Sequence, residues 1–371
     1  MIDLAALRWN FQQVKKIVGP TVRILSVVKA DAYGHGACQV AKTLARAGSD
    51  GFGVATVEEG IELRESGLRS PILVLTAIYP GQLGQLIQHR LTPAISDLDT
   101  LRGLEKHLRK RSRSLNFHLK VDTGMGRLGL IHSEIESWLP ELSRLKALKM
   151  EGVFSQLSHA EDEKGEYTRT QLKGFRRVVE RLERAGCKPP LIHLANSAAL
   201  IAFPSTHFTM VRPGLMLYGL YPSPEMARQL QLKPVLSWKT RVLQVKTLPA
   251  GASIGYGRSF VTKRESKIAT LPVGYADGYH RLLSNRGAAL VRGKRAPIVG
   301  RISMDLTMVD VTDIAGLTQG DEVVLLGRHG DDVITADEMA GWAETISYEI
   351  LTSISARVPR VYHNLHHSKG G

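Results

Sequence analysis

The sequence predicts an α/β protein in two parts, a (β/α)8 barrel of the TIM type over residues 1–231 and a mostly-β domain over residues 232–371. Three observations carry the prediction. From residue 20 to about 213, short apolar runs alternate with longer segments of helical period. Around Leu220-Tyr221-Pro222-Ser223-Pro224 the alternation stops, and strand signals punctuated by Gly and Pro take over. Finally, 371 residues exceed what one hydrophobic core usually holds.

The predicted barrel strands are Val22–Val28, Gly51–Ala55, Ile72–Leu75, Thr92–Ile95, Asn116–Val121, Met150–Ser155, Leu191–Leu194 and Thr209–Arg212. Helical segments lie between them, among them Ala37–Ala47, Glu58–Ser66, Leu98–Arg109, Glu134–Leu145 and Tyr167–Ala185. No GxGxxG follows the first strand, which counts against a doubly wound open sheet. In the second domain the predicted strands are Leu236–Leu248, Lys267–Leu271, Ala288–Val291, Thr307–Val311 and Glu322–Leu326. Two helices, Ala336–Thr345 and Tyr348–Ala356, follow them. A polar tail from Val361 ends the chain, and its His363, His366 and His367 read as a disordered end rather than a metal site.

Barrels of this type place their chemistry where strands end and βα loops begin. Lys29 closes the first apolar run. A partly buried amine has a lowered pKa, and its neutral form attacks aldehydes to give a Schiff base. Lys120, Asp122 and Arg127 close strand five, His159 follows strand six, Asn196-Ser197 follow strand seven and Arg212 closes strand eight. On strand five His118, Lys120 and Asp122 share one face, while Phe117, Leu119 and Val121 share the other.

Composition narrows the partners. The net charge is +14, yet the densest basic run, Arg109-Lys110-Arg111-Ser112-Arg113, has no interleaved aromatics, so no nucleic-acid partner is expected. The charge instead favours small anions such as phosphate esters and carboxylates. No apolar run is long enough to span a bilayer, and the N-terminus lacks the basic region and apolar stretch of a signal peptide. Cys38 and Cys187 have no CxxC spacing, which fits a reducing cytoplasm and argues against a cysteine-based metal site.

Six stretches also resemble one family, in the same order along the chain. They are Val28-Lys29-Ala30-Asp31-Ala32-Tyr33-Gly34-His35-Gly36, His118 to Gly129 (HLKVDTGMGRLG), Ala195-Asn196-Ser197, Val211-Arg212-Pro213-Gly214, Leu271 to Tyr279 (LPVGYADGY) and Gly300-Arg301-Ile302-Ser303-Met304-Asp305. Together they resemble the alanine racemases. The resemblance implies pyridoxal 5'-phosphate as cofactor, interconversion of L- and D-alanine, and a homodimer whose active sites are shared between subunits.

The resemblance also implies roles. Lys29 is the cofactor anchor and one base; Tyr256 is the second base, given by the partner subunit. Tyr33, Ser197, Gly214 and Tyr348 match the phosphate ligands, and Asn196 and His159 match other cofactor contacts. Arg212 matches the residue facing the pyridine nitrogen, with His193 behind it. Arg127 matches the residue orienting the substrate carboxylate, and Lys120 a lysine that is carbamylated in the family. Tyr275 and Met304 match residues at the substrate entrance, supported by Asp305. A phenol of pKa about 10 needs stabilisation of its anion to act as a base near neutrality. Three other readings compete: a broader racemase of serine or lysine, a basic amino-acid decarboxylase of the same fold, and a non-catalytic protein that only binds pyridoxal phosphate. Arg212 argues against the decarboxylases, where an acidic residue faces the ring nitrogen. The C-terminal domain carrying Tyr256 argues against the non-catalytic reading.

Overall fold

Eight parallel strands close into a ring in the computed structural model, which describes residues 1–363. They are β1 (Arg23–Val27), β2 (Gly51–Val54), β3 (Ile72–Val74), β4 (Thr92–Ile95), β5 (Leu115–Asp122), β6 (Leu148–Phe154), β7 (Leu191–His193) and β8 (Met210–Val211). Each pairs with its neighbour in sequence, β8 pairs back onto β1, and β4 with β5 completes the ring. The predicted strands match these within a few residues, because each is a short apolar run bounded by turn residues.

Leu25, Leu73, Leu191 and Met210 fill one layer of the interior, with Leu75 against them. Strand β2 contributes glycines there for lack of space. A Cβ at Gly51 would lie 3.0 Å from Leu25, and one at Gly53 would lie 3.0 Å from Leu75.

Outside the ring run α1 (Leu4–Val18), α2 (Ala37–Ala47), α3 (Val57–Glu65), α4 (Leu83–Gln88), α5 (Leu98–Lys110), α6 (Ile135–Arg144), α7 (Glu166–Arg184) and α8 (Ser197–Ala202). Helix α1 precedes the predicted alternation. Its Leu7, Phe11 and Val14 are buried at helical spacing, and Asn10 clamps the chain near Lys233 through both of its side-chain polar atoms.

Residues Ala6–Ala32 and Gly36–Lys233 form one compact unit; Met1–Ala5, Tyr33–His35 and the described residues from Pro234 form the other. The second unit is mainly antiparallel β: β9 (Trp238–Arg241), β10 (Gln244–Leu248), β11 (Ser266–Leu271), β12 (Ala288–Val291), β13 (Lys294–Pro297), β14 (Thr307–Asp310), β15 (Glu322–His329) and β16 (Asp332–Ile334). The single strand expected over Leu236–Leu248 is two. The Val242 amide donates to Asp321 and the Leu243 amide to Thr270, so the chain changes sheets there. Helices α9 (Ala336–Trp342) and α10 (Ser347–Thr352) follow. The expected polar tail begins with order: Tyr362–His363 pair in parallel with Ile2–Asp3. His366 and His367 lie outside the described residues.

Candidate active site

Strand β1 delivers Lys29 to the C-terminal rim of the ring. There the chain turns with the wrong hand for L-residues: Ala30, Asp31, Ala32 and Tyr33 have φ of 53°, 51°, 54° and 54°. A glycine turn would be unremarkable, but here non-glycine residues adopt the conformation, so neighbours must hold it. The Ala32 amide donates to Val28 and the Gly36 amide to Asp31, both at 2.9 Å. The Asp31 carboxylate accepts from the Ala37 amide at 2.7 Å, and Glu59 accepts from the Ala30 amide at 2.7 Å.

Glu59 also takes the Ala55 amide at 2.6 Å and closes a capping box with Thr56 at the start of α3. One carboxylate thus fixes a helix end and the turn after Lys29. The Thr-x-x-Glu spacing at Thr56 to Glu59 was the signal for the cap; nothing in sequence pointed to the turn.

Around Lys29 the barrel gathers cations. Burial lowers the pKa of Lys29 most, the Arg127 charge adds to this, Glu59 opposes it and Arg212 lowers it further. Lys120 is pushed down to about 8, first by burial, then by Arg127, Arg212 and Lys29. Its ammonium donates to the Leu75 carbonyl at 2.8 Å and lies 5.4 Å from the Phe154 ring centre.

Asp122 is not the ion-pair partner of Lys120. Its carboxylate accepts from the amides of Gly124 and Met125 at 2.8 Å and Arg127 at 3.1 Å, so it shapes the loop that carries Arg127.

Arg212 is buried, with its guanidinium carbon 5.2 Å from the Phe154 centroid. It donates to His193 Nδ1 at 3.1 Å and to the carbonyls of His193 and Ser155 at 3.0 and 2.7 Å. Gln156 accepts at 3.2 Å. Among the described residues no carboxylate touches it. The His193 ring stacks on Phe154 with centroids 4.9 Å apart. Sequence reasoning missed Phe154, whose one ring serves both cations and the histidine; an aromatic in an apolar strand looks like core.

The loops after β7 and β8 meet at Ser197, whose hydroxyl accepts from the Gly214 amide at 2.9 Å. Asn196 caps α8 through Ala199 at 3.0 Å. His159 is exposed on the loop after β6.

The other unit holds the remaining candidates. Tyr33 and Tyr348 have ring centroids 6.1 Å apart, and burial raises the Tyr33 phenol well above its usual range, so it stays a neutral donor. Tyr256 tops the hairpin formed by Ser253–Ile254 and Phe260–Val261, between Gly255 and Gly257 at φ of 70° and 69°. The hairpin is anchored by Ile254 against Ile268 and Val299. The Arg301 guanidinium borders it: a Cβ at Gly257 would lie 3.2 Å from Arg301 Nη1. The loops of Tyr275 and Met304 are tied by amides of Tyr275 and Ala276 donating to Ser303 and Met304 at 3.1 and 3.0 Å. Asp305 pairs with Arg357 at 2.9 Å.

Known proteins resemble this chain in sequence and in fold. The family model described as alanine racemase, N-terminal domain, matches residues 2–222, and the one described as alanine racemase, C-terminal domain, matches residues 235–362. The alanine racemase of Halothermothrix orenii is 48% identical over 363 residues, covering 98% of this chain and 96% of its own. That of Symbiobacterium thermophilum is 48% identical over 361 residues, covering 97% and 96%. Among solved structures, alanine racemase of Clostridium difficile 630 superposes with a TM-score of 0.93 at 35% identity, over 98% of this chain and 94% of that one. The Bacillus anthracis alanine racemase with bound L-Ala-P has a TM-score of 0.93 at 36% identity, with the same coverage. With both domain models matched and relatives aligned over nearly its whole length, the chain belongs to the alanine racemase family.

Proposed function

We propose that the protein interconverts L- and D-alanine using pyridoxal phosphate held in the barrel rim. The observation that carries this reading is the set of cations at the rim: Lys120 and Arg212 are buried, Lys29 is partly buried and Arg127 is exposed, and few acids among the described residues oppose their mutual repulsion. Such a site is built for a ligand bearing a phosphate and a substrate bearing a carboxylate. The residues present fit that group. Lys29 has a depressed pKa for condensation with an aldehyde, Arg212 touches no carboxylate among the described residues, and Tyr33, Tyr348 and Ser197 carry hydroxyls suited to phosphate oxygens, that of Ser197 held by the Gly214 amide.

When bound, pyridoxal phosphate supplies an aldehyde for Lys29 and an electron sink beside the substrate Cα. Lys29, freed by substrate, takes or returns the Cα proton on one face, and Tyr256 of the partner subunit does so on the other. Arg127 orients the substrate carboxylate. Arg212 would hold the ring nitrogen by a hydrogen bond that it donates without giving up its proton, which would keep the sink weak and favour return of the proton to Cα. Lys120, with a pKa near 8, presents enough neutral amine to take up carbon dioxide as a carbamate, an anion able to hold Arg127. Asn196, by capping α8, keeps Ser197 in place, while His159 borders the substrate's path, as do Tyr275 and Met304 of the partner subunit, supported there by Asp305. The homodimer reading is supported by the exposure of Tyr256, Met304 and Tyr275, at 72%, 53% and 43%, because large side chains at that exposure are suited to cover by a second chain. We place the enzyme in the cytoplasm, where D-alanine feeds cell-wall precursors.

The test is a chiral assay across a panel of amino acids with pyridoxal phosphate added. Interconversion of alanine above all others is expected. Release of carbon dioxide from a basic amino acid, or equal turnover of serine and lysine, overturns the assignment.

A further inference from the structure

The buried guanidinium of Arg212 has a second layer of support. His193 Nε2 lies 2.8 Å from Nδ1 of His118, and His118 Nε2 lies 3.6 Å from a Glu151 carboxylate oxygen. The chain of groups runs Arg212, His193, His118, Glu151, from a side chain that only donates to one that only accepts. These ends fix every proton between them. Arg212 donates to His193 Nδ1, so the His193 proton sits on Nε2. That proton is donated to His118 Nδ1, so the His118 proton also sits on Nε2 and faces Glu151. Both rings are then neutral, as their burial favours, since desolvation is the largest cause lowering both pKa values. At 3.6 Å the last link is electrostatic rather than a full hydrogen bond.

The backbone is shaped to make this chain. In the pairing of β5 with β6, Phe117 faces Met150 but His118 faces Gly152, so Glu151 is an extra residue on β6. A bulge of this kind re-aims side chains next to active sites. Gly152 vacates the volume that the His118 ring fills: a Cβ there would lie 2.5 Å from Nδ1. Glu151 is half-buried, with Asn116 and Arg23 flanking it, and its carboxyl is held below the usual range chiefly by His118.

We propose that Glu151 and His118 are positioning residues for Arg212, acting through His193 as a one-way donor chain that presents the guanidinium in one orientation and offsets its buried charge from a distance. The proposal rests on the reading above that Arg212 meets the cofactor ring. An amide at position 151 donates as well as accepts, so it permits the reversed tautomers, and a reversed chain sets an N–H of His193 against an N–H of Arg212.

The experiment compares the unmodified protein with Glu151→Gln and His118→Phe. Ring ¹⁵N shifts of the histidines are recorded without cofactor; alanine kinetics and visible absorption are recorded with pyridoxal phosphate. The expected result is Nε2–H tautomers at both histidines, mixed tautomers at both in Glu151→Gln, and a shifted absorption band. A fall in kcat of about tenfold, the scale reached by outer hydrogen-bond partners of metal ligands, with KM nearly unchanged, completes it. His118→Phe keeps a ring in the space beside Gly152 and is expected to lower kcat at least as much. Unchanged histidine shifts, absorption and kcat in Glu151→Gln overturn the proposal even if His118→Phe fails to fold. If the unmodified protein shows the assigned tautomers but racemises nothing, the function fails while the donor chain stands.

Discussion

Lys120 shows how one side chain sets a pH response. Its folded pKa of about 8 lies below the usual lysine value of about 10.4. Between these values the unfolded chain holds a proton that the native protein has released, so stability rises with pH across that window; below about 8 the native state carries the full burden of a buried charge. Each unit of depression costs the charged form about 1.4 kcal/mol. In bicarbonate-free buffer and without cofactor, Lys120→Met is therefore expected to raise stability at pH 7 by roughly 1 kcal/mol or more. It should also flatten the slope of the urea midpoint between pH 8 and 10. A lower midpoint at pH 7 counts against this account. At Arg212 the same reasoning predicts chemistry. Arg212→Glu strengthens the electron sink and should raise pyruvate released per racemisation; unchanged partitioning removes Arg212 from that role. The types of these residues were legible because charged side chains at the ends of apolar runs are unusual. Their partners were not. Asp122 shares a strand face with Lys120 in the sequence pattern, but its oxygens accept from three loop amides, a choice that only loop geometry reveals.

Elements differ in how plainly the sequence announces them. The barrel strands are apolar runs between turn residues, and α2 over Ala37–Ala47 begins and ends where its spacing says. The break between β9 and β10 was hidden, since the apolar pattern runs through it and only the partner strands differ. The β6 bulge was hidden too, because register belongs to a pair of strands. Two substitutions test these elements. Gly152→Ala drives a methyl into the His118 ring and should cost about 1–3 kcal/mol in chemical denaturation, the range for overpacking. Glu59→Ala removes the α3 cap, worth about 1 kcal/mol, and also frees the Ala30 amide, so its loss should exceed that of Thr56→Ala. Equal losses would mean that Glu59 serves the helix alone.

For the whole molecule, the eight repeats and the change of pattern near residue 220 were readable because each βα unit repeats one period. The sharing of sites between chains rests on motif order and on what the second unit leaves exposed. It predicts complementation. Lys29→Ala and Tyr256→Ala homodimers should each be inactive, yet mixing equal amounts under exchange should restore about a quarter of the normal activity, since half the dimers become mixed and each mixed dimer holds one intact site. No recovery, with exchange verified by tagged subunits, would place Lys29 and Tyr256 of one site on the same chain.

The turn after Lys29 has a stereochemical corollary. Residues of the L series pay roughly 1–2 kcal/mol each to adopt left-handed helical angles, whereas their mirror images adopt them freely. Ala30, at φ 53°, is exposed and makes its hydrogen bond to Glu59 through the backbone alone. The best-fitting residue for that position is thus D-alanine, one of the two molecules the enzyme is proposed to interconvert. Semisynthesis placing D-alanine at position 30 is expected to raise stability by about 1 kcal/mol. Glycine should gain less, because it also gives the unfolded chain more freedom. Against the usual order of helix propensities, Ala30→Gly would then be no worse than the natural residue.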